Sequence, residues 1–152
     1  MKITIASIAN RARSDAYDAL TSLYLERLGP YVNVETAVQR TESDFFAAIA
    51  RQQKRTAPLL VLLDSRGKSR SSEDFAAWIG AQRDSDVQHL IFAIGPASGW
   101  SEAVRSGARK RAAPLLSLGP MTLPHELVRV VLAEQLYRAF TILAGHPYHS
   151  GH

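Results

Sequence analysis

The part of the chain between Met121 and His149 holds the side chains most capable of chemistry. Acid–base, aromatic and cationic groups recur through it: His125, Arg129, Glu134, Tyr137, Arg138, Tyr148 and His149. Apolar residues occupy the intervening positions at helical spacing, namely Leu127, Val130, Val131, Leu136, Phe140 and Leu143. One face of such a helix packs on a core while another presents polar groups. The sequence therefore predicts a site built on a rigid helix.

These side chains allow more than one kind of chemistry. The imidazoles of His125 and His149 can exchange a proton near neutral pH, and the fixed donors of Arg138 can hold an anion. Glu134 and Arg138 are also spaced as a structural helix ion pair, and that alternative stays open. His146 and His149 have no cysteine or carboxylate at ligand spacing. We therefore predict no metal site.

Bulk composition narrows the class of protein. The chain has 152 residues, a formal charge of +4 and no cysteine. Disulfides and thiolate-bound zinc or iron–sulfur clusters are therefore excluded. No apolar run approaches the roughly 20 residues of a membrane span, and Met1–Ile5 reads as a strand rather than a signal segment. We expect one cytoplasmic domain over residues 1–152, with a weak preference for a polyanionic partner.

Short apolar runs alternate with amphipathic stretches along the chain. Strands are predicted at Lys2–Ala9, Tyr31–Ala37, Pro58–Asp64, His89–Ile94 and Pro114–Leu118. Helices are predicted at Ala12–Leu28, Asp44–Arg55, Ser72–Gln82, Glu102–Arg111 and Pro124–Ala144, with Ser71, Ser101 and Thr122 as caps. Leu59–Leu63 is apolar at every position, which indicates a strand covered on both faces. We therefore predict an α/β fold with a mostly parallel sheet and helices on both faces.

Ligands of such sheets bind beyond the carboxyl ends of the strands. Three loops are predicted there: Asp64–Lys68, Gly95–Trp100 and Leu118–Thr122. Two of them are glycine-rich, as close backbone approach to a ligand requires. Neither matches a phosphate-binding motif, so a nucleoside triphosphate site is not expected. A ligand held by backbone groups, such as an adenosine compound, remains open beside the alternative of ordinary turns.

Several segments together resemble the ribosomal RNA large-subunit methyltransferase H family. The proteins of this family are the small single-domain members of the SPOUT class of S-adenosylmethionine-dependent methyltransferases. The segments that carry the resemblance are Phe92–Gly95 with Gly99, Leu116–Leu118, Met121–His125, Arg129, Glu134–Ala139 and Pro147–His149. The length and the strand ends near Ala9 and Asp64 agree as well, so the resemblance covers essentially the whole chain.

The resemblance implies a fold, a reaction and a site. It implies a C-terminal trefoil knot and a homodimer that methylates ring N3 of a pseudouridine in large-subunit (23S) ribosomal RNA on the assembled ribosome. It implies a cofactor site at Leu63, Gly95, Leu118, Gly119, Pro120, Met121, Thr122 and Leu123. It places His125, Arg138, Tyr148 and His149 around the target base, with the tail of one subunit completing the site of the other.

The chain departs from the family pattern at two places. Pro96 stands where a second glycine is usual, and its lack of an N–H removes one donor from that loop. Ser150 follows His149 where a basic residue is common, so the RNA phosphate contact that the resemblance implies there is not expected in this chain. The basic residues Arg66, Lys68, Arg70 and Arg109–Arg111 are a candidate RNA footprint. The alternatives are a SPOUT enzyme acting on transfer RNA and a non-catalytic RNA-binding module.

Overall fold

The structure is a computed structural model that describes residues 1–10, 15–52, 56–110 and 113–150. Its strands are β1 (Lys2–Ile8), β2 (Asn33–Gln39), β3 (Leu59–Ser69), β4 (His89–Ile94) and β5 (Leu115–Ser117). Its helices are α1 (Asp15–Leu28), α2 (Glu42–Gln52), α3 (Ser72–Asp84), α4 (Glu102–Lys110) and α5 (His125–Leu143), followed by the 3₁₀ turn Pro147–His149. The order of alternating strands and helices confirms the α/β prediction.

The five strands form one sheet in the order β2-β1-β4-β3-β5, and every pairing is parallel. Side chains alternate between the two faces, as a strand requires. One face, including Ile3, Ile5 and Phe92, packs under α1, α3 and α5. The other, including Leu62 and Ala93, packs under α2 and α4. The predicted helical cover on both faces is therefore confirmed.

The third strand is longer than the sequence indicates. We predicted that it ends at Asp64 and that a loop follows, but β3 continues to Ser69. Strand β5 pairs with β3 at Leu62 and Leu63 and again at Lys68 and Ser69, with an irregular stretch between. The prediction of a loop leaving the sheet was wrong because β5 supplies a second set of backbone partners.

Gly67 is what lets this irregular stretch lie so close to β5. A Cβ at that position would stand 2.6 Å from the backbone carbonyl carbon and oxygen of Leu115. No side chain fits at such a distance, so the close approach requires glycine. The trefoil knot that the resemblance implies stays a prediction.

Two of the three predicted helix caps are present. Ser71 Oγ accepts a hydrogen bond from the Asp74 N–H at 3.0 Å, and Ser101 Oγ accepts one from the Val104 N–H at 3.3 Å. The third was wrong, because α5 starts after Pro124 with no side-chain cap. Gly145, with φ of 69°, ends this helix. Within the described ranges, no helix is long and apolar enough to cross a membrane.

Candidate functional site

A cavity of about 720 Å³ lies at the carboxyl ends of β4 and β5, beside the irregular middle of β3. The loops that follow β4 and β5 supply most of its wall, and the middle of β3 and the first turns of α4 and α5 supply the rest. Of the predicted cofactor residues, the structure brings together Leu63, Gly95, Leu118, Gly119, Met121, Thr122 and Leu123 around it. Pro120 does not line the cavity. Parallel sheets bind ligands at this edge, so the cavity is the candidate cofactor site.

One wall of the cavity is fixed by Trp100, which is only 4% exposed. Its indole Nε1 donates a hydrogen bond to the backbone oxygen of Leu63 at 2.9 Å. A Cβ on Gly95 would stand 2.9 Å from the indole ring, so glycine allows the strand end and the ring to meet. The turn behind them closes through the Gly99 N–H, which donates to the Pro96 oxygen at 2.7 Å. Trp100 is therefore a packing residue, and the loop it supports is held in place before any ligand binds.

The loop after β5 is organised by one hydroxyl group. Ser117 Oγ accepts a hydrogen bond from the Gly119 N–H at 3.0 Å and donates one to the Gly119 oxygen at 3.1 Å. Gly119 has φ of 125°, a conformation that side chains disfavour. Beyond this turn Met121 is 82% exposed at the mouth of the cavity. The loop thus combines a rigid base with an apolar side chain that the other described residues leave largely uncovered.

A buried ion pair completes the polar part of the wall. Arg105 Nε donates to Asp64 Oδ2 at 2.7 Å, and the backbone N–H of Arg66 donates to Asp64 Oδ1 at 2.9 Å. Burial alone would raise the pKa of Asp64, but the hydrogen bonds and the charge of Arg105 outweigh it and lower that pKa. Sequence reasoning missed both residues. The signal that the sequence offered was Asp64 at the end of the apolar run Leu59–Leu63. It gave no indication that Arg105 is the partner of Asp64.

His125 is the predicted catalytic residue that lies at this cavity. It is the first residue of α5 and is half-buried, and it lines the wall together with Val128. Pro124 is the N-cap of α5, and proline disfavours helical backbone at the residue before it, so the helix does not extend further back. The rigid start of α5 therefore presents an imidazole to whatever the cavity holds.

The other predicted catalytic side chains form a separate cluster near the end of α5. Arg138 binds Glu134 Oε1 through Nε at 3.0 Å and Nη2 at 2.6 Å, which confirms the predicted helix ion pair. Tyr148 donates its hydroxyl hydrogen to the same oxygen at 3.1 Å, and its ring lies 5.0 Å from the Arg138 guanidinium carbon. Tyr137 packs on Tyr148 with ring centroids 4.6 Å apart. The C-terminal tail is thus attached to its own helix.

Electrostatic interactions in this cluster keep Arg138 and Tyr148 protonated. The hydrogen bond and charge of Glu134 raise the pKa of Arg138 above its ordinary value. Burial and the negative charge of Glu134 raise the pKa of Tyr148 to about 12. His149 is half-buried, and its Nδ1 is buried without a hydrogen-bond partner among the residues described. A buried polar atom of this kind is costly, so it calls for a partner other than the residues described.

The cavity and the cluster are far apart within one chain. From position 125 to position 138, a rise of 1.5 Å per residue separates the two side chains by about 20 Å along the helix axis. Arg138, Tyr148 and His149 do not line the cavity. The structure of one chain therefore brings His125 to the predicted cofactor loops but leaves the other three predicted catalytic residues at a second location.

The candidate RNA footprint is only partly available. Arg66 and Lys68 are exposed beside the cavity, and Lys110 is exposed at the end of α4. Arg109 pairs with Glu102 at 2.7 Å, and the Arg70 guanidinium lies 5.7 Å from the Trp78 ring centroid. Arg111 lies outside the described residues. Across the ranges described, no group of three metal-binding side chains occurs.

Comparison with known proteins supplies the family. A relative from Koribacter versatilis (strain Ellin345), named ribosomal RNA large subunit methyltransferase H, is 47% identical over 152 residues and covers 100% of both chains. One of the same name from Rhizobium meliloti (strain 1021) is 42% identical and covers 98% of this chain and 99% of its own.

Two solved structures are similar at lower identity. The first is ribosomal RNA small subunit methyltransferase E from Neisseria gonorrhoeae bound to S-adenosyl methionine, with 13% identity and a TM-score of 0.49 over 94% of this chain and 66% of that chain. The second is a hypothetical protein with 16% identity and a TM-score of 0.51, which covers 93% of this chain and 68% of its own and shares the fold. The family described as predicted SPOUT methyltransferase matches residues 1–149. This chain therefore belongs to the SPOUT methyltransferase family.

Proposed function

We propose that this protein is an S-adenosylmethionine-dependent methyltransferase that modifies large-subunit ribosomal RNA. The observation that carries the proposal is the cavity at the carboxyl ends of β4 and β5, beside the middle of β3, which is lined by residues that the resemblance assigns to the cofactor. The names of the full-length relatives support the substrate class. Cytoplasm is the expected location, since ribosomes are found there.

The lining of the cavity suits this cofactor. Apolar side chains of Leu63, Leu116 and Leu118 can cover an adenine ring, while backbone groups of the Gly95 and Gly119 loops supply polar contacts. The chain lacks the glycine-lysine loop that binds triphosphates. When bound, S-adenosylmethionine supplies a methyl group on a sulfonium. The protein must place that methyl in line with its acceptor and keep competing water out.

A second copy of the chain would bring its C-terminal cluster to the cavity of the first copy. The midpoint of α5 between His125 and Arg138 falls near Val131. A two-fold axis crossing two antiparallel α5 helices there would place His125 of one subunit beside Arg138 of the second subunit. Leu20 and Leu23 on the neighbouring α1 are exposed apolar residues, as an interface requires. The proposed active site is therefore composite.

The protonation states divide the roles within this composite site. Because its pKa is about 12, Tyr148 stays a phenol near neutral pH and can stack on a base or donate a hydrogen bond, but it is not the proton acceptor. Arg138 stays cationic and stabilises the anion that forms when ring N3 loses its proton. The proton then goes to an imidazole, either that of His125 or that of His149.

The finer target is ring N3 of a pseudouridine on the assembled ribosome. A formal charge of +4 is small for a protein that must hold bare RNA, and the exposed cations are spread over several elements. We therefore expect the shape of an assembled particle to supply part of the recognition. Transfer RNA remains the alternative substrate, since other SPOUT enzymes modify it.

Radiolabelled methyl transfer onto free large-subunit ribosomal RNA, assembled ribosomes and transfer RNA tests this function. We expect label on assembled ribosomes, with mass spectrometry locating it at N3 of a pseudouridine. Preferential labelling of transfer RNA would contradict the proposed substrate, and equal labelling of free RNA and ribosomes would contradict recognition of the assembled particle. Absence of label on every RNA would favour a non-catalytic RNA-binding role.

A further inference from the structure

The ion pair between Asp64 and Arg105 lies in the cavity wall and has no role in the chemistry above. The side chains of Asp64 and Arg105 are 2% and 17% exposed. Both carboxylate oxygens of Asp64 are engaged, one by Arg105 Nε and the other by the backbone N–H of Arg66. Asp64 therefore fixes the position of the guanidinium and has little capacity left for a ligand.

Arg105 has donors to spare. A guanidinium carries five N–H groups, and the contact with Asp64 uses the one on Nε. In the part of the chain that the structure describes, no acceptor pairs with the terminal nitrogens. Nη2 lies 3.3 Å from where a Cβ on Gly99 would stand, so the glycine leaves space beside it. The unused donors therefore lie in the wall beneath the glycine loop.

Among the described residues that line the cavity, Arg105 carries the positive charge. Among the described residues that line it, Arg105 is the only lysine or arginine, and Asp64 is the only acidic residue. The rest of the lining is apolar or carries hydroxyl and backbone groups, apart from His125. A ligand with one anionic group would therefore find a single matching cation, already oriented by Asp64.

We propose that Arg105 forms an anion subsite that receives the carboxylate of the methionine part of the cofactor. The inference rests on S-adenosylmethionine being the cofactor, and it assigns a binding residue that the family resemblance did not supply. Asp64 is then a positioning residue, which holds the guanidinium so that its terminal N–H groups meet the carboxylate. The competing explanation is that the pair only ties β3 to α4.

Two ligands that differ by one group separate these explanations. S-adenosylhomocysteine has both the carboxylate and the amine, whereas S-adenosyl-3-thiopropylamine is the same molecule without the carboxylate. Calorimetry with the wild-type protein is expected to show a preference of about tenfold to a hundredfold for S-adenosylhomocysteine, because a charge-assisted hydrogen bond is lost in the analogue. A ratio near one would overturn the subsite.

The variants test whether Arg105 is the source of that preference. Arg105→Lys keeps a positive charge for Asp64 but lacks the planar terminal NH2 groups that would meet the carboxylate. Arg105→Gln combined with Asp64→Asn removes both charges, so that no buried charge is left unpaired. Both proteins should bind the analogue as the wild type does and lose most of the preference for S-adenosylhomocysteine. Arg83→Gln, which removes an exposed cation of α3, is the matched control and should keep it.

Two further outcomes distinguish failure of the subsite from failure of the proposed cofactor. Equal loss of affinity for both ligands in the Arg105 variants would show that the pair is only structural and would overturn the inference, while the proposed cofactor would stand. Failure of the folded wild-type protein to bind either ligand would overturn the proposed cofactor and, with it, this subsite. Urea unfolding of each variant establishes that the proteins compared are folded.

Discussion

Tyr148 donates its hydroxyl hydrogen to Glu134 Oε1, the same oxygen that accepts both hydrogen bonds from Arg138. One carboxylate oxygen therefore joins the C-terminal tail to the last turns of α5. The aromatic ring, the guanidinium and the tail form a preassembled unit. In the composite site, a subunit would present this unit as a whole to the cavity of the second subunit.

Tyr148 should ionise later than an ordinary tyrosine. Its pKa is raised to about 12, so the folded protein keeps a proton that the unfolded chain loses near pH 10. The stability contributed by this group is present below the unfolded pKa and falls as pH rises from about 10 to about 12. Urea unfolding across that window should show a smaller decline for Tyr148→Phe than for wild type. Identical pH dependence of the two proteins would contradict the assigned environment.

Three glycines should differ in their tolerance of alanine because different atoms occupy the space of the new Cβ. At Gly67 it would meet Leu115 backbone at 2.6 Å, at Gly95 the buried indole of Trp100 at 2.9 Å, and at Gly80 the flexible end of Leu143 at 3.0 Å. Backbone moves least easily, and alanine also favours the helix at Gly80.

We therefore expect the loss of unfolding free energy to decrease in the order Gly67→Ala, Gly95→Ala, Gly80→Ala. The Gly95 change should cost about 1–3 kcal/mol. Urea unfolding at one protein concentration measures all three. A Gly67→Ala protein as stable as the wild type would show that the close approach of β3 and β5 is not real.

The sequence predicts the parts of this fold that depend on local pattern. Strand β4 has the predicted bounds, and α5 differs from prediction by one residue at each end, because apolar periodicity determines both. The extension of β3 was not predictable, because it depends on pairing with β5 across more than 40 positions of chain. The Asp64–Arg105 pair was missed for the same reason, since its partners lie 41 positions apart.

The predicted site residues also divide into those that a local motif identifies and those whose position depends on long-range contacts. The family motifs named seven residues that surround the cavity. The ends of β4 and β5 beside them could be read from the sequence, whereas the end of β3 could not. The motif around Arg138 and Tyr148 also named residues that contact each other. The distance of about 20 Å between Arg138 and His125 already follows from the predicted helix between them. What the sequence could not give is that the tail folds back on its own helix, where Tyr148 contacts Glu134.

The exposed cations of the candidate RNA footprint should contribute to RNA association and not to cofactor affinity. Arg66, Lys68 and Lys110 are exposed, whereas Arg70 packs against Trp78. Changing any one of the three to alanine should weaken RNA binding at low salt and reduce the slope of log K against log [salt] by about one. Arg70→Ala should instead lower stability. Filter binding across a salt series measures the first effect, and an unchanged slope in all three variants would place the RNA elsewhere.

Methyl transfer by mixed dimers is the most direct test of the composite site. His125→Gln and Arg138→Gln should each abolish most transfer to ribosomes, because every site in either homodimer lacks one group. Subunits co-expressed in equal amounts should form dimers with one intact site in half of the molecules and so regain about a quarter of the wild-type activity. Isolating the mixed dimer through two different affinity tags should raise this to about half. If the mixed dimer is as inactive as its parents, then His125 and Arg138 do not meet across subunits, and the account of this active site is wrong.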